Sequence, residues 1–401
     1  YKLVFLDPAR DGEDARPTAG GPVRGQNEFR SLFADFIREK SAFVLSASKP
    51  VRERASRQPD FYSIVEDFLK IAASDSPSVA PDLAGTMGRE SFVFLHKYKK
   101  AEETAEFFAK LVDLTIACGS YEWPFLNFDA TGSEARAFQA LEYAELLPPP
   151  RIGVFDSVAL TIGADRKFSM GDAFGAMEDY KLALLASPAN AMARNSLGVC
   201  LAGLGKFDEA KQFCAEALEY AEDENLRAKI AYNLGSIYDK LNDYKNARKY
   251  YKACLKLDSS HVYAGVRLGK MYEARGRIAA ARKLYETAAQ RAGNSPDLLN
   301  LASRCLANLN INMFGSKAGR ELLYDNIARD PGDAASLALL AKTYLADRED
   351  LNLAELFARK SANILGTSAA WDLLARVLEA RNKFAEAERA RARARKTGAT
   401  R

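Results

Sequence analysis

From about residue 165 onward, small and apolar residues return in fixed columns. Alanines stand at Ala176, Ala210, Ala247 and Ala281, at intervals of 34, 37 and 34. Twelve residues before the last three lie Gly198, Gly235 and Gly269, each preceded by leucine: Leu197, Leu234 and Leu268. Four residues after each alanine comes Tyr180, Cys214, Tyr251 or Tyr285, and seven after it Ala183, Ala217, Cys254 or Ala288. This spacing predicts pairs of helices. Leu-Gly on a first helix and Ala on a second let two axes approach closely. The aromatic column is expected to fill the gap toward the next pair. Between the helices lie short turns such as Gly205-Lys206-Phe207-Asp208 and Asn242-Asp243-Tyr244, with aspartate placed to cap the second helix. No single pair can bury its apolar stripe alone, so the pairs must stack.

The columns resemble the tetratricopeptide repeat family over about residues 157 to 395. In the later units Leu301-Ala302, Leu340-Ala341 and Leu374-Ala375 replace Leu-Gly, and Trp371 stands in the family's tryptophan column. Asn308 to Ser316 looks like an insertion in the fifth turn, and Pro331 ends the helix after it. The resemblance implies an all-α solenoid of six to seven helix pairs over residues 157–401, closed by a basic capping helix.

Residues 1–156 show no such period. Gly12 to Gly25 reads as a loop. Helices are expected over Glu28–Glu39 (with Phe29, Leu32, Phe33, Phe36 and Ile37 inward), Phe61–Ala72, Ala101–Ala117 and Glu134–Leu146. Strands are expected at Ala42–Leu45, Phe92–Leu95 and Ile152–Phe155, and Tyr121–Phe128 is β-prone. Strands alternating with helices predict a small α+β domain built on one sheet.

Residues 82 to 92 read DLAGTMGRESF. This resembles the signature segment of the diguanylate cyclase (GGDEF) family, with Asp82 and Gly88-Arg89-Glu90-Ser91-Phe92 standing on it. The departures are chemical. Arg89 replaces the glycine that lets backbone approach a guanine nucleotide. Ser91 replaces a carboxylate, and Leu45-Ser46-Ala47-Ser48 lacks the metal-binding aspartate that the resemblance places on the first strand. Val79 replaces the arginine of the family's inhibitory product site, where Asp82 keeps the aspartate. The segment therefore reads as a degenerate domain without cyclase activity.

The remaining composition is that of an ordinary globular chain, with 401 residues, 48% hydrophobic and 27% charged. No window of about 18 apolar residues predicts a membrane span. The five cysteines are widely spaced, without a C-x-x-C pair, and read as reduced thiols of a cytoplasmic protein. The chain begins at Tyr1, which leaves room for a missing upstream segment. The net charge of +4 is concentrated in the last residues, so nucleic-acid binding by the whole surface is not expected. The run Arg389 to Lys396 spreads around a helix and reads as a solvated cap, with an anionic partner as the other option. His96 and His261 lack ligand-spaced neighbours, and no catalytic, metal or cofactor motif appears.

In tetratricopeptide packing the first helix of each pair lines the inner face. Those positions hold Asn195, Lys229, Tyr232, Asn233, Ser236, Tyr263, Arg267, Lys270, Asn300 and Arg304. Amides, aromatics and cations suit an extended peptide or acidic segment. Asn233 and Arg267 match two positions of the clamp by which some family members hold a C-terminal carboxylate, while Asn195, Val199 and Tyr263 replace the others. The expected function is a non-enzymatic, cytoplasmic scaffold for a protein partner. The alternative is a guanine-nucleotide or cyclic di-GMP sensor acting through the front domain.

Overall fold

A computed structural model describes residues 23–38, 42–50, 81–87, 91–100, 102–104, 107–109 and 116–398. The expected loop over Gly12–Gly25 as far as residue 22, the expected helix over Phe61–Ala72, and Val79, Gly88, Arg89 and Glu90 lie outside them, while Val23 and Arg24 of that loop form a strand. The chain divides into two compact units, Tyr1–Tyr220 and Ala221–Arg401.

The first unit opens with a mixed sheet of β1 (Val23–Arg24), β2 (Phe43–Pro50), β3 (Leu83–Met87), β4 (Ser91–Lys97), β5 (Ile116–Trp123) and β6 (Ile152–Val154), in the order β1-β3-β4-β2-β5-β6. The outermost pairs are parallel and the inner ones antiparallel. Helix α1 (Gln26–Ile37) turns Phe29, Phe33 and Phe36 onto the sheet. Leu32, expected inward with them, is exposed. Phe43 receives the edges of Phe33 and Phe36 and stacks on Trp123. The expected helix over Ala101–Ala117 does not include Ile116 and Ala117, which belong to β5. There they pair with Pro50 and Lys49, so strand partners override an apolar run that periodicity alone cannot classify.

Helix α2 (Ser133–Glu145) lies on the same face as α1, with Ala137, Ala140, Leu141 and Ala144 buried. It rests on two glycines. Gly119 and Gly153 face each other across β5 and β6. A Cβ built on Gly119 would stand 1.9 Å from the Leu141 nitrogen, and one on Gly153 2.5 Å from the Ala140 carbonyl oxygen. The helix backbone therefore sits where side chains would ordinarily keep it away.

Two helix pairs complete this unit: α3 (Ser157–Ser169) with α4 (Ala173–Ala186), and α5 (Ala191–Gly203) with α6 (Phe207–Tyr220). Asp156 caps α3 through the amides of Val158 and Ala159, and Asn190 caps α5 through Ala193. Asn190 also donates to Ser157 and Thr161, which fixes α5 against α3. Phe155, Ala159, Leu160, Ala183 and Ala193 share one core with the sheet residues Phe43, Leu45 and Tyr121.

The second unit holds five pairs: α7 (Glu224–Lys240) with α8 (Tyr244–Leu257), α9 (Val262–Glu273) with α10 (Ile278–Arg291), α11 (Pro296–Phe314) with α12 (Arg320–Arg329), α13 (Ala334–Asp347) with α14 (Leu351–Leu365), and α15 (Ser368–Ala380) with α16 (Phe384–Gly398). The stretch read as an insertion after Asn308 is a continuation of α11. Leu309 is buried and Ile311 packs against the core of the following pairs, so this stretch keeps the helical period until Gly315, at φ +93°, ends it.

The repeated columns make one recurring contact. A Cβ on Gly235 would meet the Tyr251 ring at 2.7 Å, one on Gly269 the Tyr285 ring at 2.4 Å, and one on Gly198 the Cys214 sulfur at 2.5 Å. The aromatic column thus lies first on the glycine of its own pair, because a helix lacking a Cβ offers a flat backbone to a ring face. Tyr285 cannot swing aside, being fully buried with its hydroxyl donating to Glu273. Gly265 on the same helix differs: a Cβ there comes no nearer than 3.4 Å to Ala288 and 3.8 Å to the Leu284 oxygen, beside a cavity of about 210 Å³ lined by Leu255, Val262, Leu284 and Ala288. Gly269→Ala is therefore expected to cost about 1–3 kcal/mol. Gly265→Ala is expected to gain about 0.5–1 kcal/mol from helix propensity. Urea denaturation of the two variants checks this; loss in both, or gain in both, contradicts the packing described.

Candidate protein-binding face

The site is built on α7 and α9, the first helices of consecutive pairs in the second unit. Asp223 starts α7 by accepting from the Leu226 amide, and His261 starts α9 by accepting from the Ala264 amide through Nδ1. Helical spacing then sets the faces. On α7, Ala228, Ala231, Leu234 and Gly235 are buried, which leaves Lys229 exposed and Tyr232, Asn233 and Ser236 half-buried. On α9, Ala264, Gly265, Leu268 and Gly269 are buried, and Tyr263, Arg267 and Lys270 are exposed.

These residues meet. The Tyr232 ring lies 4.7 Å from the His261 ring and 6.3 Å from that of Tyr263, and it also approaches Tyr251 at 5.9 Å. Half-burial pushes the His261 imidazole below its ordinary range, and nearby Lys229 lowers it further, against the opposing pull of Asp258. A neutral imidazole is what the cap requires, because only an unprotonated Nδ1 accepts the Ala264 amide. His261, which the sequence marks only as a structural histidine, lies beside both Tyr232 and Tyr263, at 4.7 and 6.4 Å, and so has a part in the surface as well. The usable signal was its position immediately before α9, two residues from Tyr263. Among the described residues Lys229, Arg267 and Lys270 form no ion pair.

Three of the expected positions behave otherwise. Asn300 is buried: its Nδ2 donates to the Asn326 carbonyl, and its Oδ1 accepts from Arg329. Arg304 donates to Asp333 at 2.7 Å, and Asp333 in turn accepts from Ser336. Both residues are thus committed to a polar network joining α11, α12 and α13, Asn300 buried within it and Arg304 half-buried at its edge. Asn195 belongs to the first unit, half-buried on α5, where its carbonyl lies 4.0 Å from the Cys214 sulfur.

The signature segment of the front sheet is also placed in part. Asp82 accepts from the Lys97 amide at 2.7 Å while its own amide donates to Leu95, so its carboxylate closes the base of the β3–β4 hairpin. Ser91 starts β4, opposite Met87, and Phe92 is fully buried against Phe94. Burial raises the thiols of Cys118, Cys214 and Cys254 to about 12, which makes them packing residues rather than nucleophiles. Among the described residues no cluster of His, Cys, Asp and Glu could hold a metal ion, and no helix is long and apolar enough to cross a membrane.

Comparison with known families matches tetratricopeptide repeat models to residues 189–260 and 232–296, which include α7 and α9. Residues 189–296 therefore carry the pattern of tetratricopeptide repeats. The chain is also similar to solved structures. A tetratricopeptide repeat protein from Parabacteroides merdae is 20% identical, covering 60% of this chain and 93% of its own, with a TM-score of 0.47. PilF of Pseudomonas aeruginosa is 18% identical, covering 49% and 88%, with a TM-score of 0.43. The C-terminal part of a repeat protein from Cytophaga hutchinsonii is 16% identical, covering 58% and 91%, with a TM-score of 0.43. No curated protein matches the chain.

Proposed function

We propose that this protein is a non-enzymatic adaptor whose tetratricopeptide repeats bind an extended, acidic segment of a protein partner across α7 and α9. Tetratricopeptide proteins in general serve as protein-interaction scaffolds. The observation that carries the narrower reading is the union of three exposed cations, without an ion pair among the described residues, with an aromatic group. Lys229, Arg267 and Lys270 supply charge, while Tyr232 and Tyr263 offer amphipathic rings of the kind that anchor interfaces. Half-buried Asn233 and Ser236 make the surface beside the rings polar. The cations draw an acidic segment in, and the rings discriminate once it has arrived.

Capture of the native partner by the immobilised chain tests this. Arg267→Glu with Lys270→Glu is expected to reduce recovery more than tenfold, since like charges across an interface cost several kcal/mol. Both side chains are exposed, so the fold should persist, as circular dichroism would verify. Undiminished recovery would remove this face from the proposal. The alternative, nucleotide sensing by the front sheet, gains no support from Asp82, whose carboxylate is engaged by the Lys97 amide. Calorimetry with GTP and cyclic di-GMP would restore that reading if it showed heat of binding.

A further inference from the structure

Helix α16 carries five cations, Arg389, Arg391, Arg393, Arg395 and Lys396, against two carboxylates, Glu386 and Glu388. It therefore supplies three of the chain's four net positive charges. The sequence pattern suggested that these residues scatter around the axis, but packing sorts them. Ala387, Ala390 and Ala394 are buried and make up the whole apolar edge of the helix. Arg391 is spent on Glu379 at 2.6 Å and on Glu388. The Arg393 guanidinium lies over the Trp371 ring at 4.8 Å, and the residue as a whole remains exposed, so its outer nitrogens can still meet a phosphate. Arg389, Arg393 and Lys396 stand at i, i+4 and i+7, so they line one exposed flank. Arg395 is exposed on the other flank, and the small Ala392 lies between them.

We infer that this exposed face of α16 binds the phosphate backbone of a nucleic acid without reading its sequence. Three features of the face select that occupant. Arginine outnumbers lysine, and its planar fork matches phosphate oxygens with paired hydrogen bonds. Beyond Phe384 at the start of the helix, the exposed face holds only alanine and charged side chains, so it lacks the large apolar anchors on which a protein interface depends. The apolar edge is already packed against the preceding helices, so it has nothing left to insert into a lipid surface. A second copy is disfavoured, because two such faces would bring like charges together. This local site does not require the whole surface to be basic, and it is separate from the face on α7 and α9.

The test is fluorescence anisotropy of the full chain with a short labelled duplex and the matching single strand, over a range of salt concentrations. Three or four phosphate contacts predict a slope of log K against log salt of about −3 for the duplex, at about −0.9 per phosphate. Arg389→Gln with Arg395→Gln should flatten that slope by about 2. The melting temperature should stay unchanged, because both side chains are exposed. Lys229→Gln with Arg267→Gln should leave the slope as it is. Absence of binding at low salt would overturn the inference, as would binding that ignores the α16 pair but falls with the Lys229 pair. Tighter binding to polyglutamate or to anionic vesicles than to either nucleic acid would overturn it as well.

Discussion

Gly119→Ala is expected to be the most damaging single methyl group that can be added to the described part of this chain, costing on the order of 4–5 kcal/mol. Among the other described glycines only Gly153 and Gly319 come nearly as close to main chain, at 2.5 Å from the Ala140 oxygen and 2.4 Å from the Ala307 oxygen, and most of the rest meet side chains or open space. The Gly119 Cβ would instead lie 1.9 Å from the Leu141 nitrogen, 2.3 Å from the Leu141 Cα and 2.4 Å from the Ala140 carbonyl carbon. These are main-chain atoms of α2 and cannot rotate away, so the helix itself must lift. Lifting it uncovers Tyr121, Leu45 and the alanine face of α2, which form the centre of the first unit's core. The chain holds two tryptophans, Trp123 and Trp371. In a Trp371→Phe background, emission from Trp123, stacked on Phe43, reports this unit alone. A large drop in its denaturation midpoint is the expected result, and an unchanged midpoint would show that α2 does not rest on Gly119.

Glu355→Gln should destabilise the second unit by about 2–3 kcal/mol, somewhat less than breaking a fully buried ion pair costs. The carboxylate is only 9% exposed, and three cations converge on it: Arg359 from its own helix, and Arg381 and Lys383 from the turn between α15 and α16. The cations are themselves partly exposed, so water takes up some of the charge left behind. The same cluster sets an acid limit. Burial alone would push the Glu355 carboxyl up, but hydrogen bonds from Arg359 and Lys383 and the charge of Arg381 outweigh it and hold it below its ordinary value of 4.5. A lowered carboxyl contributes its full stabilisation above that value, and the contribution disappears as pH falls through the folded-state value. The gap between the native chain and Glu355→Gln should therefore be constant near neutrality and narrow below about pH 4.5. Equal stability at pH 7 would refute the role given to this cluster.

The helix pairs were legible in the sequence because each column answers a local demand. A glycine at a fixed distance from a tyrosine is needed wherever a ring lies on a helix, and that demand returns with every pair. Individual side chains in the same columns were less legible. Asn300 occupies an inner-face position like that of Asn233, yet Asn326 and Arg329 close over it. Those partners come from α12, the shorter helix that follows the extended α11, and nothing in the column announces them. The front sheet was harder still. Gly119 and Gly153 are 34 residues apart only by coincidence of numbering; strand pairing makes them neighbours. The start of β5 was misplaced for a related reason, since Ile116, Ala117 and Cys118 continue an apolar run that helix and strand tolerate equally.

The shared packing of Phe155, Ala159, Leu160, Ala183 and Ala193 with the strands bears on how such a protein can be assembled from modules. The change from strand to helix pairs at residues 154–157 looks like a seam along the chain, but the apolar interior runs through it without a break. Any recombination event that transplanted the sheet would have to bring α3, α4 and the start of α5 along, or leave raw hydrophobic surface on both fragments. Shuffling between proteins of this build is therefore easier after Tyr220, at the next boundary between compact pieces of chain.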